Sequence, residues 1–325
     1  MTAALPPGLE AAGLETATAP LVLATHGLTK RYGRIEVVSD LDLHVPRGAI
    51  FGLVGLNGAG KTTTLECALG LQRFQRGRVE LLGEPLRGAW NGRVAATFDQ
   101  GALHPHLTVR QQLRYAEHVA FRGEGRRADE LIDALALTRY AGRKTSRLSL
   151  GNRRRTAIAT SLIGRPELVV LDEPFSGLDA EGVDDLLALL QRIHGDDGTT
   201  FLISSHQLPL LERVCSHLAF LHEGKLLRDG SVEELLAGED DQVEIRVSDL
   251  AAAEGVLGAF AGVRVARSST APDDERRRGE GLEISGDVDA SELNSALVRA
   301  GVRVHALRPR RRTVDALFRR LLEDA

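Results

Sequence analysis

Short apolar runs alternate with longer amphipathic stretches along most of this chain. The runs at 49–54 and 168–171 are continuously apolar, which is typical of parallel strands buried on both faces of a sheet. Residues 107–165 are predicted to be helical, with Thr108 and Gln111 placed as a capping box at a helix start. This alternation predicts an α/β domain. Further strands are predicted at 21–23, 35–38, 41–45, 79–83, 200–204 and 217–222.

The pattern changes at 237–241, where an acidic stretch begins a second region. Two strand–helix–strand units follow, and they predict a small ferredoxin-like α+β module that ends in an amphipathic helix at 313–322. The units are strand 242–247, a helix from 249 and strand 263–265, then strand 282–284, helix 290–300 and strand 302–304. The predicted division is a flexible lead at 1–20, an α/β domain at 21–238 and an accessory module at 239–325.

The length, charge and composition of the chain limit the classes of function that the protein can have. The 325 residues suffice for two domains with a sizeable core, and a net charge of only −4 implies no general attraction to nucleic acid or acidic lipid. No apolar run reaches the roughly 18 residues of a membrane span, and the N-terminus lacks the pattern of a secretory signal. The two cysteines, Cys67 and Cys215, are both placed on predicted helices and interpreted as buried thiols.

The most specific chemical signal is a glycine-rich loop directly after the apolar run at 49–54. It reads G-x-x-x-x-G-K-T, a phosphate-binding P-loop whose N–H groups face phosphate oxygens at a helix N-terminus. Lys61 is predicted to reach the β- and γ-phosphates of a nucleotide, and the Thr62 hydroxyl is predicted to bind Mg²⁺. The residues assigned to nucleotide binding in this loop are Gly55, Asn57, Gly58, Ala59, Gly60, Lys61, Thr62 and Thr63.

A pair of acidic residues follows the apolar run at 168–171. Asp172 and Glu173 thus lie at the carboxyl end of a predicted parallel strand, where open α/β sheets place ligands. Asp172 is predicted to hold Mg²⁺ directly or through water. Glu173 is placed to orient or deprotonate an attacking water. Such a pair alone is common on protein surfaces, but beside a P-loop it indicates nucleotide hydrolysis.

Four further patches complete an ordered set of motifs. They are L-S-L-G-N at 148–152, S-G-L-D at 176–179, I-S-S-H at 203–206, and Tyr32 ahead of the P-loop. Together with the P-loop and the acidic pair, they make residues 21–238 resemble the ATP-binding-cassette (ABC) ATPases. Each motif alone is weak, whereas the ordered set is very specific.

The resemblance implies roles for these residues. Tyr32 stacks on adenine, and His206 binds the γ-phosphate and holds the attacking water. Ser149 and Gly151 contact the γ-phosphate bound by a partner subunit, and Asp179 bridges the two subunits. A helix N-terminus with a Ser hydroxyl is chemically suited to an anion, which agrees with the role of Ser149.

The resemblance also implies a fold and a biological role. The fold is a P-loop NTPase domain with a RecA-like core, an antiparallel β subdomain and a helical subdomain, followed by the small C-terminal α+β module. The role is that of an ATP-hydrolysing subunit with ATP and Mg²⁺ as cofactors, paired with a second ATPase subunit. The L-S-L-G form of its signature motif resembles that of export-type relatives. The chain would therefore power export through a separate transmembrane permease, from the cytoplasmic face of the membrane. No nucleic-acid partner is expected.

One metal ligand stays open at the level of sequence. The segment at 94–108 resembles the glutamine loop of the family, and an ungapped count back from Pro105 puts Asp99 at the glutamine position. A deletion of one residue would place Gln100 there instead. Both side chains offer an oxygen to Mg²⁺, but only Asp99 adds negative charge.

Two other functional classes compete with transport, namely a soluble ABC protein that works on nucleic acid or ribosomes and a purely regulatory ATP-binding subunit. Relatives that act in DNA repair insert a long coiled coil between P-loop and signature, and this chain leaves no room for one. Relatives linked to translation carry two cassettes, whereas this chain has one P-loop. A purely regulatory ATP-binding subunit is disfavoured because Glu173 and His206 are both present. The transported substrate is not encoded here, since the permease selects it.

Overall fold

The computed structural model describes residues 20–86, 92–98, 103–120, 127–237, 242–260, 263–267, 280–286, 289–310 and 313–325, which form fourteen β-strands and ten α-helices. The strands are β1 (Leu21–Tyr32), β2 (Ile35–Pro46), β3 (Ile50–Val54), β4 (Arg76–Leu81), β5 (Glu84–Pro85), β6 (Val94–Thr97), β7 (Leu168–Asp172), β8 (Thr200–Ser205), β9 (His217–His222), β10 (Lys225–Ser231), β11 (Gln242–Val247), β12 (Arg264–Arg267), β13 (Glu280–Ser285) and β14 (Val304–Arg310). The helices are α1 (Lys61–Ala68), α2 (Val109–Ala120), α3 (Ala128–Ala134), α4 (Leu150–Ser161), α5 (Ala180–Asp197), α6 (Leu208–Glu212), α7 (Val232–Ala237), α8 (Leu250–Leu257), α9 (Ala290–Arg299) and α10 (Val314–Glu323).

A six-stranded sheet in the order β10-β9-β3-β8-β7-β6 forms the centre of the first domain. Its strands pair in parallel except β10, which adds an antiparallel edge. All residues of β3, β7 and β8 are buried, as their apolar sequences predict. Because parallel strands share a carboxyl edge, the loops after these three strands meet on one side of the sheet. The predicted α/β core is therefore confirmed.

A second sheet, antiparallel and in the order β2-β1-β4-β5, forms the predicted strand-rich subdomain. Its apolar side chains share a hydrophobic core with α1 and with one face of the central sheet. The runs predicted at 35–38 and 41–45 belong to a single strand, β2, rather than to two. This sheet thus packs directly behind the P-loop strand and helix.

Helices α2, α3 and α4 form the helical region that was predicted for 107–165. The capping box at the start of α2 is present: the Thr108 N–H donates to Gln111 Oε1 (2.9 Å), and the Gln111 N–H donates to Thr108 Oγ1 (3.2 Å). The apolar faces of the three helices join the core beneath β7 and β8. The region is therefore anchored to the sheet that carries the acidic pair.

The C-terminal sheet has the order β12-β13-β11-β14, with all pairs antiparallel. Strands β11 and β12 are joined through α8, and β13 and β14 are joined through α9, so the two predicted strand–helix–strand units are both present. Their apolar side chains form a core separate from that of the first domain. This is the predicted ferredoxin-like arrangement.

The last helix, α10, packs on the first domain instead of on the C-terminal sheet. Val314 and Leu317 are fully buried, and they belong to the same hydrophobic core as α6 and α7. The ring of Phe318 stacks on that of Phe220 in β9, with centroids 5.5 Å apart. The predicted division at 238 stays a prediction, but α10 joins the end of the predicted module to the core of the first domain.

An ionic cluster lies at the amino edge of the central sheet, opposite the P-loop. Glu167 accepts hydrogen bonds from Arg93 Nε and Nη2, and from Arg47 Nη1 at 2.6 Å. These two guanidinium groups, Arg93 first, lower the pKa of Glu167 to about 2. The cluster ties the ends of β2, β6 and β7 together.

The two cysteines are buried, as interpreted from the sequence. Cys67 lies in α1 as predicted. The placement of Cys215 on a helix is wrong, because α6 ends at Glu212 and Cys215 lies in the turn before β9. Burial raises the pKa of its thiol.

The predicted lead at 1–20 lies outside the described residues except for Pro20. Within the described ranges, no helix combines the length and the apolar character that a bilayer crossing needs.

Candidate functional site

The P-loop joins the carboxyl end of β3 to the amino end of α1, as predicted. Gly58 and Gly60 have φ angles of 84° and 100°, which favour glycine. A Cβ atom at Gly60 would lie 2.7 Å from the backbone oxygen of Val37 in β2, so the loop is pressed against the neighbouring strand. The glycines therefore give the loop its conformation and let it approach β2.

Lys61 is buried at the base of this loop, with 6% of its surface exposed. Its ammonium donates to the backbone oxygen of Gly55 (2.8 Å) and, more weakly, to that of Leu56 (3.3 Å). It also lies 3.2 Å from Glu173 Oε1. The ammonium thus joins the P-loop to the acidic residue after β7.

Asp172 is held at the end of β7 by two hydroxyl groups. Thr62 Oγ1 donates to Asp172 Oδ2 (2.8 Å), and Ser204 Oγ donates to Asp172 Oδ1 (2.5 Å). The carboxylate and the Thr62 hydroxyl are therefore adjacent hard oxygen donors, which is the ligand type that Mg²⁺ prefers. Ser204 was not predicted as a site residue, although it lies two positions before His206.

Glu173 and His206 are paired through their side chains. His206 Nδ1 lies 2.9 Å from Glu173 Oε2, and Ser205 Oγ lies 3.5 Å from the same oxygen. This contact is a hydrogen bond to the carboxylate when the imidazole carries its proton on Nδ1, because a carboxylate oxygen accepts. His206 is 42% exposed at its side chain, whereas Glu173 is 17% exposed. The pair therefore spans the boundary between the protein interior and solvent.

The other carboxylate oxygen, Glu173 Oε1, is buried and accepts no hydrogen bond of good geometry from the described residues. The ammonium of Lys61 compensates its charge without saturating its hydrogen-bonding capacity. Such an acceptor at the edge of a cavity is available to a polar hydrogen of a ligand.

A cavity of about 210 Å³ collects the P-loop residues and Glu173. Most of the predicted phosphate-binding residues line it, and Val37 is an additional lining residue that the sequence did not indicate. The lining residues are Val37, Leu56, Asn57, Gly58, Ala59, Gly60, Lys61, Thr62, Thr63 and Glu173. Its walls offer backbone N–H groups, one ammonium and one carboxylate.

Ser149, Gly151 and Asp179 are not among the residues that line this cavity. Ser149 caps α4 by accepting a hydrogen bond from the Asn152 N–H (3.4 Å), and Asp179 caps α5 by accepting from the Gly182 N–H (3.2 Å). The Gly182 N–H, followed by Arg155, lowers the pKa of Asp179. Ser149 and Asp179 therefore have local capping roles, and the contacts of all three residues with a second subunit stay predictions.

Tyr32 lies at the end of β1 and is 46% exposed. The ammonium of Lys30 lies 4.5 Å from the centre of its ring, which is a cation–π contact. The ring is outside the set of cavity-lining residues, so stacking on adenine remains a prediction. Asp99 and Gln100 lie outside the described residues, and the register of the glutamine loop stays open.

A phosphate-binding loop, an Asp–Thr pair and a partly buried glutamate at the carboxyl edge of a parallel sheet define a P-loop NTPase. Comparisons with known proteins agree with this class. The ABC transporter family matches residues 38–176. The chain is 32% identical over 232 residues to the bacitracin transport ATP-binding protein BcrA of Enterococcus faecalis, covering 70% of this chain and 75% of that protein.

A longer match extends over the C-terminal module. The daunorubicin resistance ATP-binding protein DrrA3 of Streptomyces coeruleorubidus is 33% identical over 318 residues, which cover 94% of this chain and 97% of that protein. A solved ATP-binding subunit of an ABC transporter superposes with a TM-score of 0.60 at 27% identity, covering 66% of this chain and 92% of the other. This chain belongs to the family of ABC transporter ATP-binding proteins, and it is an ATPase that powers transport.

Proposed function

We propose that this chain is the ATP-hydrolysing subunit of an export-type transporter whose membrane-spanning permease is a separate chain. Two similar proteins are named for bacitracin transport and daunorubicin resistance, and the second matches over the C-terminal module as well. The permease would choose the cargo and hold this subunit at the cytoplasmic face of the membrane.

The P-loop cavity is the proposed site of the nucleotide phosphates. Lys61 supplies the positive charge for the β- and γ-phosphates, and its contacts with Gly55 and Glu173 keep the ammonium at the base of the loop. The backbone N–H groups at the start of α1 add to the field that attracts anions. Tyr32 is the proposed adenine platform, since an exposed aromatic ring is worth about 1–3 kcal/mol in base stacking.

The oxygen donors beside the cavity fit Mg²⁺. Thr62 and Asp172 would hold the ion, together with Asp99 or Gln100, and the ion would neutralise charge on the phosphates when bound. Ser204 fixes the Asp172 carboxylate through a second hydrogen bond. At saturating ATP, Asp99→Ala raises the Mg²⁺ concentration for half-maximal ATPase more than Gln100→Ala does, because Asp99 contributes charge. A larger shift in Gln100→Ala assigns Gln100 as the ligand.

Glu173 is the proposed general base. This assignment rests on its Oε1 atom, which lies at the edge of the cavity and accepts no hydrogen bond from the described residues. A water that donates a hydrogen to Oε1 would be turned toward the γ-phosphate, and the carboxylate would take its proton. His206 holds the opposite oxygen, Oε2, and thereby fixes the orientation of the carboxylate. The exposed part of His206 is free to reach the γ-phosphate.

A second ATPase subunit would complete each site. Ser149, Gly151 and Asp179 lie outside the cavity of their own chain, which is consistent with contacts to a nucleotide held by another subunit. Leu150 at the start of α4 is 58% exposed, so this end of the helix is open to a partner. ATP would close the pair of subunits and hydrolysis would reopen it.

The test of the ATPase site is Lys61→Ala, compared with Lys144→Ala, which changes an exposed lysine. We expect phosphate release with Mg-ATP to fall at least about 100-fold in Lys61→Ala, because the charge on the transferred phosphate loses its stabilisation. Lys144→Ala is expected to retain wild-type turnover. Near-normal turnover in Lys61→Ala would contradict the assignment.

A further inference from the structure

Two adjacent arginines of α4 hold the segment that carries Glu173. Arg154 is buried, with 6% of its surface exposed, and its Nη1 donates to the backbone oxygen of Glu173 and to that of Asp172 (3.4 Å). Arg155 Nη2 donates to Asp179 Oδ1 (2.8 Å). The helix that begins at the signature motif is therefore bonded to both ends of the segment at 172–179.

The backbone of Glu173 needs such support. Its φ angle is 48°, in the left-handed region that residues other than glycine rarely adopt unless neighbours hold them there. The Glu173 N–H donates to the backbone oxygen of Ser204 (3.1 Å) and to the Ser204 hydroxyl oxygen (3.1 Å). Arg154 holds the carbonyl on the other side of the same residue. Both halves of this strained residue are thus fixed by buried polar groups.

The start of α4 also packs closely on the same segment. A Cβ atom at Gly151 would lie 2.8 Å from the backbone oxygen of Gly177, and one at Gly177 would lie 3.1 Å from the Leu150 side chain. The segment therefore cannot shift far unless α4 shifts with it. This close packing makes α4 a rigid support for the Arg154 contact.

We propose that Arg154 is a positioning residue for Glu173, an inference that rests on the proposed role of Glu173 as general base. The guanidinium fixes the carbonyl of Glu173 and so keeps its φ in the left-handed region. That backbone conformation directs the carboxylate to its place between Lys61 and His206. Without the guanidinium, the backbone relaxes toward negative φ and the carboxylate leaves the edge of the cavity.

The first test separates turnover from binding in purified full-length protein. Arg154→Met keeps the length of the side chain but removes its donors, and we expect kcat to fall about 10- to 100-fold, the usual effect of misplacing a catalytic group by about 1 Å. The Kd for ATP is expected to stay within about twofold, since Arg154 does not line the cavity. Arg154→Lys, which can still donate to a carbonyl, recovers part of the loss. Arg192→Met, at an exposed site on α5, is the control with wild-type kcat.

The second test asks whether Arg154 acts through Glu173. In a Glu173→Gln background, Arg154→Met should lower the residual turnover less than about twofold, because the group it positions has already been removed. An equal loss in both backgrounds overturns the proposal, as does wild-type kcat in Arg154→Met or a matching loss of ATP affinity. If Arg154→Met does not fold, Arg154→Gln replaces it, and full kcat in that variant overturns the proposal. Wild-type turnover in Glu173→Gln alone would instead refute the general-base assignment.

Discussion

The turn between β9 and β10 is expected to control nucleotide affinity, although it does not line the cavity. The Gly224 N–H donates to the backbone oxygen of Ala59 in the P-loop (3.0 Å), and its own oxygen accepts from the Ser39 N–H (2.9 Å). A Cβ atom at Gly224 would lie only 2.3 Å from the backbone oxygen of Val37, a cavity-lining residue. Gly224→Ala therefore pushes directly on the strand behind the P-loop.

The displacement and its cost follow from this geometry. Since Cβ atoms essentially never approach another heavy atom within 3.0 Å, the backbones at positions 37 and 224 must separate by at least 0.7 Å, the difference between 3.0 Å and 2.3 Å. Gly224 also has a φ of 77°, which costs a residue with a Cβ about 1–2 kcal/mol. Overpacking of this kind adds about 1–3 kcal/mol. The total loss of stability is then about 2–5 kcal/mol.

Gly48→Ala provides a matched control. Gly48 has a φ of 72°, but a Cβ atom there would meet nothing within 4 Å, so the variant carries the backbone cost without the clash. Thermal unfolding should show a smaller loss for Gly48→Ala, about 1–2 kcal/mol. Calorimetric titration with a non-hydrolysable ATP analogue should show about tenfold weaker binding only for Gly224→Ala, equivalent to about 1.4 kcal/mol. Equal nucleotide affinity in the two variants would refute this reasoning.

Two further predictions concern stability away from the site. Phe318→Ala removes the ring stacked on Phe220 and leaves a cavity, so the free energy of unfolding measured by chemical denaturation should fall by about 3–5 kcal/mol. An unchanged denaturation midpoint would show that α10 does not contribute to the core of the first domain. Glu167 is held by Arg93 and Arg47, which lower its folded pKa to about 2 from an ordinary 4.5. Its stabilisation is therefore complete above pH 4.5 and is lost as the pH falls from 4.5 through 2. Because a third of this side chain is exposed, the loss is about 1 kcal/mol after solvent screening. When the free energy of unfolding is measured with urea and plotted against pH over that range, the slope should be smaller for Glu167→Gln than for the wild-type protein. Parallel plots for the two proteins would show that Glu167 is not the source of this pH dependence.

The fold was largely predictable because its strands are short, apolar and separated by clear breaks. The continuously apolar sequences of β3 and β7 indicate strands of a parallel sheet. The P-loop follows β3, and the Asp172–Glu173 pair stands at the end of β7. The same logic found the two strand–helix–strand units at the C-terminus. It could not show that α10 packs on the first domain, because an amphipathic helix does not encode which apolar surface it covers.

Several site residues that the sequence did not indicate act through their backbone or through backbone partners, whereas Ser204 acts through its hydroxyl on Asp172. Val37 lines the cavity next to the P-loop, and Arg154 binds the carbonyl of Glu173 directly after β7. Gly224 matters because of the space it leaves open. Such contacts depend on tertiary proximity, which neither periodicity nor motif spacing reports. Cys215 was misplaced for a related reason, since an apolar run near a strand start does not distinguish a helix from a turn.

The central claim is that Glu173 turns ATP binding into hydrolysis. The most direct test is to incubate Glu173→Gln with Mg-ATP, isolate the protein by gel filtration, and identify the bound nucleotide and the oligomeric state together. Since loss of a general base typically costs about 10²- to 10⁴-fold in rate, we predict intact ATP on a dimer, whereas the wild-type protein yields ADP and monomer. Glu292→Gln, at an exposed position on α9, should behave as wild type. ADP released from Glu173→Gln at the wild-type rate would contradict the claim.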